Sequence, residues 1–130
     1  PEYLPNPRPK RGQELSIMLD GEGSTGIVWA TLSPAEANGL LQEHNFLDED
    51  EEDFFTGRKN LIFVMDLRVD EEHRGQGQGT QLLLEAIEDV PEVWLIAFNE
   101  HRSPVPFYLK HGFEVIQRNR HDQALMRRRV

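Results

Sequence analysis

The chain has 130 residues, the length of one ordinary domain, with 38% apolar and 28% charged residues, a globular but strongly polar composition. Its net charge of −9, from 14 Lys/Arg against 23 Asp/Glu, argues against general affinity for nucleic acid or anionic membranes and suits a cationic substrate. The lack of cysteine excludes a disulfide framework, a thiolate metal site and a thiol nucleophile, and no apolar run reaches the ~18 residues of a membrane span or forms a signal-peptide core, so the cytoplasm is the expected setting.

Residues 1–12 hold four prolines and little apolar content, and read as an extended arm ahead of a single domain over 13–130. Over 14–19, Leu15, Ile17 and Leu19 alternate with polar neighbours, which predicts a half-buried strand. Turn residues at 20–26 separate it from a second strand at 27–32, so the two predict a hairpin with a long loop. Ser33-Pro34-Ala35-Glu36 is a capping box with proline at the first helical position. The helix it opens is expected to run to about residue 46, with Ala37, Leu40, Leu41 and Leu47 on one stripe and Gly39 weakening it.

Six carboxylates occupy Asp48–Asp53, followed by Phe54 and Phe55. Such a run reads as a solvated loop held open by self-repulsion; a docking surface for a basic ligand is the alternative. Residues 61–69 begin as a continuous apolar run and then alternate with Asp66, Arg68 and Asp70, the pattern of a central strand whose C-terminal end emerges into a cleft. A helix from about Thr80 to Asp89 carries Leu82, Leu83, Ala86, Ile87 and Val90 as its apolar stripe, and Pro91 stops it. The remaining expectations are a strand at 93–98, a short helix at 103–111 capped by Gly112, a strand at 113–118, a turn, and a last strand at 124–130.

The segment between the central strand and the helix after it reads Val69-Asp-Glu-Glu-His-Arg-Gly-Gln-Gly-Gln-Gly-Thr80, with glycines at 75, 77 and 79. Glycine lets the backbone approach a ligand and aim successive N–H groups at one spot. The helix start adds unsatisfied N–H groups and the positive end of its dipole, which together suit phosphate or pyrophosphate. The Lys and Ser/Thr of a P-loop are missing, and G-x-G-x-G is not the G-x-G-x-x-G of a dinucleotide fold.

What fits is R-x-x-G-x-G, from Arg74 to Gly79, which resembles motif A of the GNAT superfamily of acetyl-CoA-dependent N-acetyltransferases. A second match is Pro106-Phe-Tyr-Leu-Lys-His-Gly-Phe-Glu-Val115, which looks like the family's FYxxxGF segment, and a third is the ending Ala-Leu-Met-Arg-Arg-Arg-Val. The resemblance covers about residues 60–130. It implies an α/β (α+β) domain with a mixed, splayed central sheet flanked by helices. Only 48 residues, 13–60, precede the central strand, and they hold two strands and one clear helix, so the half that shapes the acceptor pocket is abbreviated relative to the family. Glu71 also stands where members often have proline, two positions after the valine of motif A.

The resemblance implies that acetyl-CoA enters a V between the central strand and the next parallel strand. It assigns the pantetheine arm to the backbones of Leu67 and Val69, and the polarising of the thioester carbonyl to the Leu67 N–H. It assigns the pyrophosphate to Arg74, Gly75, Gln76, Gly77, Gln78, Gly79 and Thr80; the threonine adds a hydroxyl or caps the helix. Asn99 joins the cofactor set, although it stands nine residues before Tyr108 and His101 occupies the family's usual place, seven before. Tyr108 would protonate the departing thiolate or hold it by a hydrogen bond. The general base stays open among Asp66, Asp70, His101 and water. Strand parity puts Asp66 and Asp70 on the face opposite Leu67 and Val69. His73, His111 and His121 lack metal-site spacing and read as surface or structural residues, so no metal is expected.

The expectation is therefore an acyltransferase moving an acetyl group to an amine, possible acceptors including a basic one, by direct attack in a ternary complex. The rival readings are a GNAT-like CoA-binding or regulatory module without turnover, and a nucleotide-binding protein using the same glycine cradle. Nucleic-acid and membrane partners are not expected, and a homodimer that supplies missing strands stays open.

Overall fold

Where apolar residues alternate or run together in this chain, strands form, and where they recur every three or four residues, helices do. A computed structural model describes residues 14–18, 26–47, 54–55, 57–68, 78–98 and 103–130. In chain order they hold β1 (Glu14–Met18), β2 (Gly26–Leu32), α1 (Pro34–Glu43), β3 (Leu61–Arg68), α2 (Gln78–Ile87), β4 (Glu92–Ala97), α3 (Val105–Lys110), β5 (Phe113–Arg118) and β6 (Ala124–Arg129). The strands form one mixed sheet in the order β1-β2-β3-β4-β6-β5. β3 and β4 run parallel, and the other neighbours are antiparallel. The expected hairpin is present, with Leu15 opposite Trp29. Among the described residues no helix is long and apolar enough to cross a membrane.

The sheet is buried on both faces, as a sheet with helices on either side must be. One face packs Val64, Val93, Leu95, Ala97, Ala124 and Met126 against Leu83, Ala86 and Ile87 of α2 and Val105 and Tyr108 of α3. The other packs Leu61, Phe63, Trp94 and Leu125 against Ala37 and Leu41 of α1 and against Phe46 and Phe55. Val93, Trp94 and Leu95 thus divide between the two faces by strand alternation. Phe55 is fully buried, with its ring centroid 5.0 Å from that of Trp94. Its N–H donates to Asn38 Oδ1 of α1 (3.1 Å), which anchors the chain just past the acidic run.

The capping box forms as expected: the Glu36 N–H donates to Ser33 Oγ (3.1 Å) and the Ser33 N–H to Glu36 Oε1 (3.0 Å). The helix ends at Glu43, not at residue 46. Asn45 takes φ +64°, its N–H donates to the Gln42 carbonyl (3.2 Å), and the Phe46 N–H donates to the Leu41 carbonyl (2.8 Å). This is a Schellman ending with asparagine in the left-handed position, and it turns Phe46 into the core. Helix α2 begins at Gln78, two residues before the expected Thr80. Gln78 and Gly79 are therefore helical, because first-turn N–H groups need no intrahelical partner and glycine's low helix propensity costs only ~1 kcal/mol. Helix α3 is shorter than the expected 103–111, and Gly112 at φ +90° reverses the chain after it.

Strand β3 departs from simple alternation. Val28 pairs with Asp66 and Trp29 with Val64, so Met65 is an extra residue in β3, a β-bulge. Leu61, Phe63 and Met65 face α1, whereas Leu67 packs with Ile62 and Val64 on the α2–α3 side. Leu67 thereby lies on the face opposite Leu61, Phe63 and Met65. The arm over 1–12, the acidic run 48–53 and the segments 69–77 and 99–102 lie outside the described residues.

Candidate functional site

The site begins where two parallel strands stop pairing. The β3–β4 ladder runs from Ile62 opposite Val93 to Val64 opposite Leu95 and ends there. Each strand continues on its other side: Leu67 pairs with Ile27 of β2, and Ala97 with Ala124 of β6. The two strands are thus held from outside and open toward their C-terminal ends, the splay expected of the sheet. The Met65 bulge falls at this point, and an extra residue bends a strand and increases its twist. Leu67, half-buried, stands past the end of the ladder.

Tyr108, on α3, belongs to the core cluster that includes Ala97 and against which Leu67 packs. It is 8% exposed, and its ring lies edge-on to Phe107 (5.4 Å between centroids) and Phe113 (5.5 Å). Burial pushes its hydroxyl up to about 12, and the charge of Asp66 adds to the rise. Asp66 therefore acts on Tyr108 from a position beyond the β3–β4 ladder. A phenol held this high keeps its proton at neutral pH and can donate it in a hydrogen bond.

The first turn of α2 supplies Gln78, Gly79 and Thr80. The Thr80 hydroxyl is 3.0 Å from His111 Nε2, at the end of α3. Thr80, expected as a ligand group or helix cap, and His111, expected as a surface or structural residue, share a hydrogen bond that joins α2 to the end of α3. Its one local signal was spacing, since His111 follows Phe107 by four residues and so shares its helix face. The two rings do meet, edge-on at 4.8 Å. Burial, with the charges of Lys110 and Arg128, holds the His111 imidazole below its usual range. At the far end of α2, Arg128 Nη1 donates to the Ile87 carbonyl (3.2 Å).

Of the sequence-derived site residues, the structure describes Leu67, Gln78, Gly79, Thr80 and Tyr108, and also Asp66. Val69, Arg74, Gly75, Gln76, Gly77 and Asn99, with Asp70 and His101, lie outside the described residues. Among the described residues no cluster of three or more His, Asp or Glu could hold a metal ion.

A family model described as an acetyltransferase (GNAT) domain matches residues 25–115, more than half of the chain. No curated protein matches significantly. Among solved structures, a protein of Pyrococcus horikoshii superposes with a TM-score of 0.57 at 15% identity, covering 88% of this chain and 63% of its own. The PaiA N-acetyltransferase of Thermoplasma acidophilum, solved with coenzyme A, gives 0.56 at 16% identity, covering 91% and 60%. An acetyltransferase of Thermus thermophilus gives 0.54 at 14% identity, covering 91% and 64%. At these identities the likeness is one of fold, and the chain spans about six-tenths of the length of these proteins.

Proposed function

The chain belongs to the GNAT acetyltransferase superfamily, and from that premise we propose that it transfers an acetyl group from acetyl-CoA to an amine by direct attack in a ternary complex. The observation that carries the reading is the end of the β3–β4 ladder at Val64, with Tyr108 buried in the core cluster that Leu67, past that end, packs against. The opening fits an extended pantetheine arm, which can pair with the backbones of Leu67 and Val69 as an added strand would. Arg74, Gly75, Gln76, Gly77, Gln78, Gly79 and Thr80 take the pyrophosphate through N–H groups at a helix start, with one guanidinium adding charge. Asn99 completes the cofactor set.

In the transfer, the amine nitrogen bonds to the thioester carbonyl carbon and the carbon–sulfur bond breaks. Charge grows on the carbonyl oxygen, where the Leu67 N–H donates, and then on sulfur, where the Tyr108 hydroxyl donates. An ordinary cysteine thiol titrates near 8.5, so a thiolate is a far weaker base than a phenolate whose acid titrates at about 12. Tyr108 therefore holds the leaving sulfur by a hydrogen bond and keeps its own proton, while the proton that the nitrogen sheds on becoming an amide is taken up by the thiolate, which leaves as the free thiol. The acceptor ammonium first loses its proton to Asp66, Asp70, His101 or water. With no cysteine in the chain, no thiol carrier intervenes.

Thiol release from acetyl-CoA, measured with a panel of small amines, polyamines and lysine peptides and with products identified by mass spectrometry, tests the proposal. Product acetylated at an amine supports it. Coenzyme A binding without release for any acceptor overturns it in favour of a binding or regulatory module.

A further inference from the structure

Helix α3 has six residues, too few to be stable as a helix without tertiary ties. Tyr108 can therefore be no better fixed than the contacts that hold this turn and a half. One of them comes from the other half of the candidate site. Thr80, in the first turn of α2, shares its 3.0 Å hydrogen bond with His111 Nε2. His111 is bound to α3 in turn: its N–H donates to the Tyr108 carbonyl (3.0 Å), and its ring packs edge-on against Phe107, which packs against Tyr108. The chain of contacts therefore runs from the turn assigned to the pyrophosphate, through one hydroxyl and one imidazole, to the helix that carries the phenol.

We propose that His111 is a positioning residue that couples occupancy of the α2 N-terminal turn to the placement of Tyr108, with Thr80 as the link. The inference rests on the reading of that turn as the coenzyme A site. A ligand held by the first-turn N–H groups restrains the backbone of α2 there, and so restrains Thr80. The hydroxyl then holds the imidazole, which holds the last turn of α3. The fully assembled donor for the leaving sulfur is thus present when the coenzyme is bound, and the local stability of α3 rises with it.

Hydrogen exchange followed by mass spectrometry, with coenzyme A as the probe, reads this coupling without turnover. In the wild type, coenzyme A should slow exchange both at the start of α2 and across α3. In Thr80→Val, nearly isosteric but without the hydroxyl, slowing should persist at α2 and fall about tenfold at α3, the scale of one lost hydrogen bond. Thr80→Ser should restore it, and His111→Leu should behave like Thr80→Val. Where turnover is measurable, His111→Leu should lower kcat by about tenfold with the acetyl-CoA KM little changed. Equal slowing of α3 in Thr80→Val and wild type would overturn the coupling while leaving the coenzyme site intact. Absence of slowing anywhere in the wild type would overturn the coenzyme site, and the coupling with it.

Discussion

Val64 and Leu95 form the last rung of the parallel ladder between β3 and β4, and the next residue of β3, Met65, is the bulge. The coincidence is physical. An extra residue on the β2 side of β3 bends that strand, and a bent strand cannot keep register with a straight neighbour. The β2 and β6 ladders hold the separated strands in place, so the opening is built into the sheet.

Tyr108→Phe deletes one hydroxyl and keeps the ring that packs on Phe107 and Phe113. If that hydroxyl donates to the departing sulfur, kcat should fall by about 10²–10³, the usual loss for one preorganised donor. Coenzyme A affinity and thermal stability should barely move. Steady-state kinetics with calorimetric titration separate the two effects, and near-normal kcat would make Tyr108 a packing residue only.

Because the Asp66 charge is the second cause of the high Tyr108 value, Asp66→Asn should bring the hydroxyl down from about 12 toward the ordinary 10.0. The fall should be partial, since burial is the larger cause and remains. The chain has two tyrosines, so ultraviolet titration in a Tyr3→Phe background reports Tyr108 by itself. An unmoved curve would mean that the two groups do not interact.

Burial and the neighbouring charges of Lys110 and Arg128 lower the His111 value in the fold. Below about 6.5 the unfolded chain takes up this proton more readily than the folded one. The contribution of His111 is thus fully present above that pH and is lost as pH falls through the depressed folded value. Denaturant unfolding at pH values on both sides of about 6.5 should show wild type losing more stability on acidification than His111→Gln. Parallel losses would remove the imidazole as the source.

The capping box gives a prediction free of any functional reading. Ser33→Ala removes the acceptor for the Glu36 N–H and leaves that donor at a part-buried helix start. The cost should be ~1 kcal/mol, within the 0.5–2 range for such caps, read as a lowered denaturant midpoint with unchanged slope. Ser33→Thr should recover most of it.

For the acidic run, the proposal is that Asp48–Asp53 raises the local concentration of a cationic acceptor. Replacing the six carboxylates with Asn and Gln should raise the KM for a basic acceptor and leave kcat and the acetyl-CoA KM nearly unchanged. The variant should also lose most of the wild type's salt dependence, since screening shortens from ~30 Å at 0.01 M salt to ~8 Å at 0.15 M. An acceptor KM equal to wild type at both salt levels would make the run a solvated loop.

What could be read from the residues alone was local or periodic. Ser33 and Glu36 announce a helix start because the hydrogen bonds they make lie three residues apart. Leu61–Val64 announces a strand covered on both faces, and the motifs around Arg74 and Tyr108 place the family before any fold is known. Even the early end of α1 is a local matter, hidden only because asparagine rather than glycine takes the left-handed position at 45. The opening between β3 and β4 is of another kind. The alternation of β3 contains no sign of where its ladder with β4 ends, nor of the bulge at Met65, because a bulge depends on the register of the partner strand. Nor do Thr80 and His111 have any relation along the chain: 31 residues separate them. Their meeting is set by how α2 and α3 dock on one face of the sheet, and that docking minimises the exposure of the whole apolar surface rather than satisfying any one pair.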